Sequence, residues 1–467
     1  MRKPLFWIVW TVALTWLIPA PAFAYLDPGT GSMLVSALIG IAATVFFLLK
    51  SFFYKGANLF YRLSGKTAPK DAGAIVFYGE ARQYWNTFRP VLEALDRAGI
   101  KAAYLCSDPD DPGLTHPFTH ITTRHIGQGN RAFAALNMLE ADICVLTTPG
   151  LDVLQIQRSP GVKHYAHIVH SITDMAFYKI YAFDYFDSVF CAGPHQMRSL
   201  RHLENLRGTT PKRLLESGCP YMDVFAETLD KTAEQPAEEQ RHAAPPPAST
   251  HAYADSRVAR PATASEQNKT LPRILIAPTW GRNGLLFRFG SGSIIPLAEE
   301  GYEICLRPHP QSFRSEPDLI ERLKRELAPY PHVTWDSGAS ALEAMRASDI
   351  LISDLSGIVF DYAFILERPV ITLQFTPDTR GMDAADLPWP AWELEILPAL
   401  GAHVSPDSIT RLPEIIAGLP LPEEFRAHMR RLRGQSMYNF RNSGSVIAAQ
   451  LQEIYHELNR DAASNSM

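Results

Sequence analysis

From about residue 71 onward, short apolar runs alternate with amphipathic stretches. Ala74-Ile75-Val76-Phe77-Tyr78-Gly79 reads as a buried strand ending in a turn, and Tyr84–Ala98 as a helix. Strands are predicted at Lys101–Cys106, Ile143–Thr147, Lys163–Val169 and Ser188–Ala192, with a helix over Arg131–Glu140. Residues 230–270 break the pattern. They are rich in Ala, Pro, Glu, Gln, Ser and Thr, include Pro245-Pro246-Pro247, and hold almost no large apolar residue. Such a segment buries too little surface to order itself and reads as a disordered linker.

The alternation then restarts. Strands are predicted at Arg273–Ala277, Tyr302–Arg307, His332–Trp335, Ile350–Ser353 and Val370–Gln374, and helices at Glu316–Leu327, Ala341–Ala347 and Ile358–Leu366. Buried strands separated by helices imply parallel sheets covered on both faces. The fold class is therefore α/β, with two Rossmann-like domains facing a cleft, where ligands sit at the carboxyl ends of the strands. A late helix, Ser443–Leu458, carries Val446, Ile447, Leu451, Ile454, Tyr455 and Leu458 on roughly one face and is placed to cross back onto the first domain.

Residues 1–70 differ from everything after them. Arg2 and Lys3 precede an apolar run from Leu5 to Ile18, and the small residues Ala22-Phe23-Ala24 follow, the pattern of a secretory signal. A second apolar run, Met33–Leu49, holds no charge and approaches the roughly 20 residues that span a bilayer core. Lys50, Lys55, Arg62, Lys66 and Lys70 come next, before any acid. The positive-inside rule then places the chain after Lys50 in the cytoplasm of a bacterial-type inner membrane. The expected organisation is an anchor and basic juxtamembrane segment (1–70), a first Rossmann-like domain (71–229), the linker (230–270), a second Rossmann-like domain (271–440) and a closing helix and tail (441–467).

At 467 residues the chain exceeds one hydrophobic core. A formal net charge of -5 gives no reason to expect a nucleic-acid partner. The five scattered cysteines have no CxxC spacing and suit a reducing compartment.

Three stretches carry candidate chemistry. In Ile352-Ser353-Asp354-Leu355-Ser356-Gly357-Ile358, a strand leads straight into an apolar helix. The helix start offers free amides and partial positive charge, Ser353 and Ser356 add hydroxyls, and Gly357 permits close approach, which together make a phosphate cradle. Ordinary helix capping by Asp354 or Ser356 explains the same residues equally well, and Asp354 would repel phosphate unless turned away. In Cys305-Leu306-Arg307-Pro308-His309-Pro310, two prolines restrict the backbone at a strand end where Arg307 and His309 could reach a diphosphate. In His164-Tyr165-Ala166-His167-Ile168-Val169-His170, the three histidines do not share a strand face, so no three-His metal site is expected. His170 alone, beside Ser171, is placed as a general base. Asp108, Asp110 and Asp111 lie among Pro109, Pro112 and Gly113 and read as an acidic surface turn.

Taken in order, these stretches resemble the CDP-glycerol glycerophosphotransferase family, the teichoic-acid primases and polymerases. Gly218–Asp223, Ile274–Trp280, Val370–Phe375 and Tyr438–Gly444 add to the likeness, which runs from about residue 160 to 455. Where the family has Trp-His-Gly this chain has Val169-His170-Ser171, and where it has Tyr-Ser-Ser this chain has Leu355-Ser356-Gly357. The resemblance implies a GT-B fold and a transfer that needs no metal or cofactor. It also implies a CDP-linked donor held mainly by the C-terminal domain, and a lipid-linked or polymer acceptor at the inner membrane. It makes His170 the base, sets His309 with Arg307 at the donor diphosphate, puts Ser353 and Ser356 on donor phosphate, and lines the cleft with Thr279. Two other functions fit the same residues: a GT-B glycosyltransferase using a nucleotide sugar for surface polysaccharide, and a catalytically degenerate membrane scaffold.

Overall fold

The computed structural model describes residues 74–233, 271–338 and 340–464. The expected anchor at 1–70 lies outside them, as does the linker at 230–270 beyond its first four residues. Among the described residues no helix is long and apolar enough to cross a membrane.

The first half runs β1 (Ile75–Gly79), α1 (Trp85–Arg97), β2 (Ala102–Cys106), β3 (Ile121–His125), α2 (Asn130–Leu136), β4 (Ala141–Leu146), β5 (Val162–Ile168), β6 (Ser188–Cys191), α3 (Pro194–Arg207), β7 (Arg213–Glu216) and α4 (Pro220–Ala233). The second runs β8 (Ile274–Ile276), α5 (Leu285–Phe289), α6 (Ile295–Glu299), β9 (Ile304–Leu306), α7 (Ser312–Ser315), α8 (Pro317–Leu327), β10 (Val333–Trp335), α9 (Leu342–Ala347), β11 (Ile350–Ser353), α10 (Ile358–Ile365), β12 (Val370–Leu373), α11 (Trp392–Ile396), β13 (Gly401–Val404) and α12 (Leu412–Ala417). Two more helices, α13 (Pro422–Ser436) and α14 (Ser443–Ser464), close the chain. Helix α4 runs to Ala233, past residue 230 where the linker was expected to begin.

Every strand pair in both sheets is parallel. The first sheet has the order β3-β2-β1-β4-β5-β6-β7 and the second β10-β9-β8-β11-β12-β13. Both are doubly wound, with a switch point beside their first strand (β1/β4 and β8/β11), which opens a crevice at the strands' carboxyl ends. Burial explains why the strands read as unbroken apolar runs: all five residues of β1 and of β2 are buried. β3 and β7 were missed because they are edge strands, polar enough (Ile-Thr-Thr-Arg-His and Arg-Leu-Leu-Glu) to lack that signature.

The closing helix returns to the first half. In α14, Ile447, Ala448, Leu451 and Ile454 are buried in one cluster with Phe88, Val91, Leu92 and Leu95 of α1. Each such side chain contributes about 1.5–3 kcal/mol. Gly444 permits the approach, since a Cβ there would lie 2.5 Å from the ring of Pro90. Tyr438 donates its amide to Ala192, and Asp223 accepts from the amides of Arg441 and Ser443. The second half is thereby tied to the first.

A second tie joins the halves through α3 and the segment before it. Arg207 of α3 reaches Asp184 at 3.0 Å and Asp386 at 3.1 Å, and also pairs with Asp383. Lys179 and Met382 form an isolated antiparallel bridge. Beside it the amide of Asp174 donates to Glu393 at 2.7 Å, and the amide of Trp392 donates back to Asp174 at 3.2 Å.

Candidate active site

A cavity of about 270 Å³ opens between the two halves. From the first half, His170 and Ser171 face it from the segment after β5, and Tyr221 from the start of α4; from the second, Gly357, Ile358 and Asp361 face it from the first turn of α10. That volume lies just below the ~300–1,000 Å³ of pockets for drug-sized ligands, so it suits one end of a substrate rather than a whole nucleotide.

His170 is fixed on both ring nitrogens. Nδ1 lies 3.0 Å from Thr147 Oγ1 and Nε2 lies 3.2 Å from the Tyr178 hydroxyl, while the Tyr84 ring packs edge-on 5.1 Å away. Burial holds its pKa below the usual histidine value, so the ring is neutral at physiological pH. The neighbouring histidines take structural places, as expected from strand alternation. His164 meets Ser188 at 2.9 Å, and His167 is buried between Phe183 and Phe186.

The start of α10 answers the question left by Asp354. Its carboxyl is buried and turned away from the helix end: Oδ1 accepts from the Thr279 amide and Oδ2 from the Leu285 amide, both at 2.8 Å. It clamps the loop after β8 to the strand end of β11, across the switch point, and leaves the first amides of α10 for another anion. Gly357 is exposed, and no protein atom within 4 Å would meet a Cβ there, so room remains for a ligand against the backbone.

The other expected residues are distributed unequally. Ser353 differs from expectation: it is fully buried and its hydroxyl donates to the Ala277 carbonyl at 2.7 Å, because the last residue of a central strand points into the sheet's packing. Ser356 is partly exposed beside Gly357. Thr279 is held by its amide, as described. Arg307 spends its guanidinium on Asp336 and on the Gly338 carbonyl at 2.8 Å. His309 is exposed, its Nδ1 accepting from the Gln311 amide at 3.1 Å, with the Trp280 ring 6.5 Å away. Neither Arg307 nor His309 lines the His170 cavity. The acidic turn is less superficial than its composition implied: Asp111 is buried, accepting from the Tyr104 hydroxyl and the Gly113 amide, both at 2.8 Å.

Sequence reasoning missed Asp361 and Tyr221. The Tyr221 hydroxyl donates to Asp361 Oδ2 at 3.2 Å, and burial pushes the Asp361 pKa up to about 7 despite that bond. The available signal was a lone acid in the first turn of an otherwise apolar helix, Ile-Val-Phe-Asp-Tyr-Ala-Phe-Ile.

Residues 249–381 match the family described as CDP-Glycerol:Poly(glycerophosphate) glycerophosphotransferase. The matched stretch lies in the second half of the chain and holds the β11–α10 helix start. The match contains Thr279, Arg307, His309, Ser353, Ser356, Gly357 and Asp361, and excludes His170 and Tyr221. No curated protein sequence matches the chain. Among solved structures, the wall teichoic acid polymerase TagF soaked with CDPG is 14% identical with a TM-score of 0.50, covering 89% of this chain and 99% of its own. The UDP-GlcNAc 2-epimerase of Methanocaldococcus jannaschii is 12% identical at 0.50, covering 82% and 99%. A putative UDP-N-acetylglucosamine 2-epimerase of Listeria monocytogenes is 13% identical at 0.50, covering 83% and 97%. At such identities the likeness concerns the fold, the two-domain GT-B-like arrangement.

Proposed function

We propose that this protein transfers glycerophosphate, or a related phosphopolyol, from a CDP-linked donor to a lipid-linked or envelope-polymer acceptor in teichoic acid synthesis. One observation carries the reading: a neutral histidine of the first half shares a cavity with an anion-attracting helix start that lies inside the family-matched segment. In the tautomer protonated on Nδ1, the ring donates to Thr147 Oγ1 and Nε2, facing the Tyr178 hydroxyl, is the basic atom. An acceptor hydroxyl entering the cavity takes the place of the Tyr178 hydroxyl at Nε2 and gives its proton there, while its oxygen attacks the phosphorus that bears the polyol. The bond from that phosphorus to the CMP oxygen breaks, and CMP leaves with the electron pair. The amides at Gly357 and Ile358 and the hydroxyl of Ser356 offset the phosphate charge, and positioning supplies the rest of the acceleration. Arg307 and His309 follow β9, separated from β11 by β8, as donor-side groups. The reaction takes place at the cytoplasmic face of the inner membrane, with residues 1–70 as anchor. That placement is supported by the charge pattern after Lys50.

The test is release of CMP when the purified full-length protein is incubated with CDP-glycerol and a prenyl-diphosphate saccharide. Wild type should release it, and His170→Ala should lower the rate by about 10²–10⁴-fold, the usual worth of a general base. Equal release by wild type and His170→Ala, or release from UDP-GlcNAc in preference to CDP-glycerol, would overturn the proposal.

A further inference from the structure

Asp361 is the cavity-lining carboxylate, and the transfer reaction does not use it. It belongs to the first turn of α10, three residues after the amide of Ile358, and lines the same space as His170 and Ser171. Tyr221 holds only Oδ2. Among the described residues no Lys or Arg pairs with this carboxyl. An acceptor-rich group without a cation, at the wall of a small cavity, is matched by a ligand that brings hydroxyl donors rather than charge.

We propose that Asp361, oriented by Tyr221, is the specificity-determining residue that reads the free hydroxyls of the donor's polyol. The inference rests on the donor assignment above and deepens it. The first turn of α10 presents two different chemistries in sequence. Its leading amides attract the phosphate. The carboxyl borne by Asp361, three residues after Ile358, repels phosphate and accepts hydroxyls. A three-carbon polyol phosphate, with its charge at one end and hydroxyls at the other, fits that order in one direction only. The polyol is thereby aligned with its phosphorus toward Nε2 of His170. The Tyr221 hydroxyl fixes the carboxyl plane, so that Oδ1 keeps its lone pairs for the ligand.

The experiment compares equilibrium binding of CDP-glycerol with that of the propyl ester of CDP, which has the same carbon chain and charge but neither hydroxyl. At about pH 8.5, where the Asp361 carboxyl is ionised, wild-type full-length protein should favour CDP-glycerol by roughly 10- to 100-fold, the value of one or two hydrogen bonds to a charged group. Asp361→Ala should bind the two ligands within about twofold of each other, and Tyr221→Phe should fall between. Should Asp361→Ala not fold, the isosteric Asp361→Asn is read instead, with the preference reduced to a few fold. An undiminished preference in the Asp361 variants, or none in wild type, overturns the assignment while leaving the donor class intact. Failure of wild type to bind either CDP ligand removes the donor reading, and this inference with it.

Discussion

Glu393 gives the most quantitative test of how the two halves are joined. Its side chain is 2% exposed, Oε1 accepts the Asp174 amide at 2.7 Å, and Oε2 is buried without a partner. Burial first, and the nearby Asp174 carboxyl second, push its pKa from 4.5 up to about 8. The protonated acid is therefore the form the fold accepts. Its contribution is complete below pH 4.5, where folded and unfolded states both hold the proton, and is lost as pH rises through about 8. A rise from 4.5 to about 8, at 1.36 kcal/mol per unit, comes to about 5 kcal/mol across that window. Glu393→Gln imitates the protonated acid. At about pH 5 its urea midpoint should match wild type, within the equivalent of about 1 kcal/mol for the changed donor. At about pH 8.5 the variant should be the more stable by several kcal/mol. Asp223, pushed up to about 6, and Asp361, at about 7, give both proteins the same additional slope, which cancels in the difference. A stability gap that stays flat between the two pH values would refute the claim that a neutral carboxyl is built into this joint.

Other perturbations probe separate contacts. Asp354→Asn keeps one acceptor and turns an NH₂ toward an amide donor; it should cost about 2–4 kcal/mol by chemical denaturation, and a loss under 1 kcal/mol would show that the clamp on Thr279 and Leu285 is unimportant. Arg207→Leu leaves the buried Asp383 without its cation and should destabilise by about 3–5 kcal/mol, with partial recovery in the Arg207→Leu, Asp383→Asn double variant. Gly193→Ala would place a Cβ 2.0 Å from the Ser436 carbonyl, where α13 meets the first half; a loss of at least 1–3 kcal/mol in thermal melts is expected, and an unchanged melting temperature would contradict the close approach.

Chain alternation by itself determined the architecture. Buried parallel strands must be apolar throughout, so β1, β2, β4, β5, β6, β8, β9, β11 and β12 were all legible, as was the return of α14, whose apolar stripe needs a partner face. The same logic placed His170 at a strand end and a helix start immediately after β11. Tertiary structure decided what those ends do. Ser353 and Asp354 are adjacent in sequence, yet both turn into the packing around the β8/β11 switch point, and the neighbours that claim them, Ala277, Thr279 and Leu285, lie about 70 residues earlier in the chain. Tyr221 meets Asp361 across 140 positions, and Asp174 meets Glu393 across 219. Periodicity records only which face of an element is buried. Which polar groups are then forced together depends on strand order and on how the halves close, and neither leaves a local mark on the residues involved.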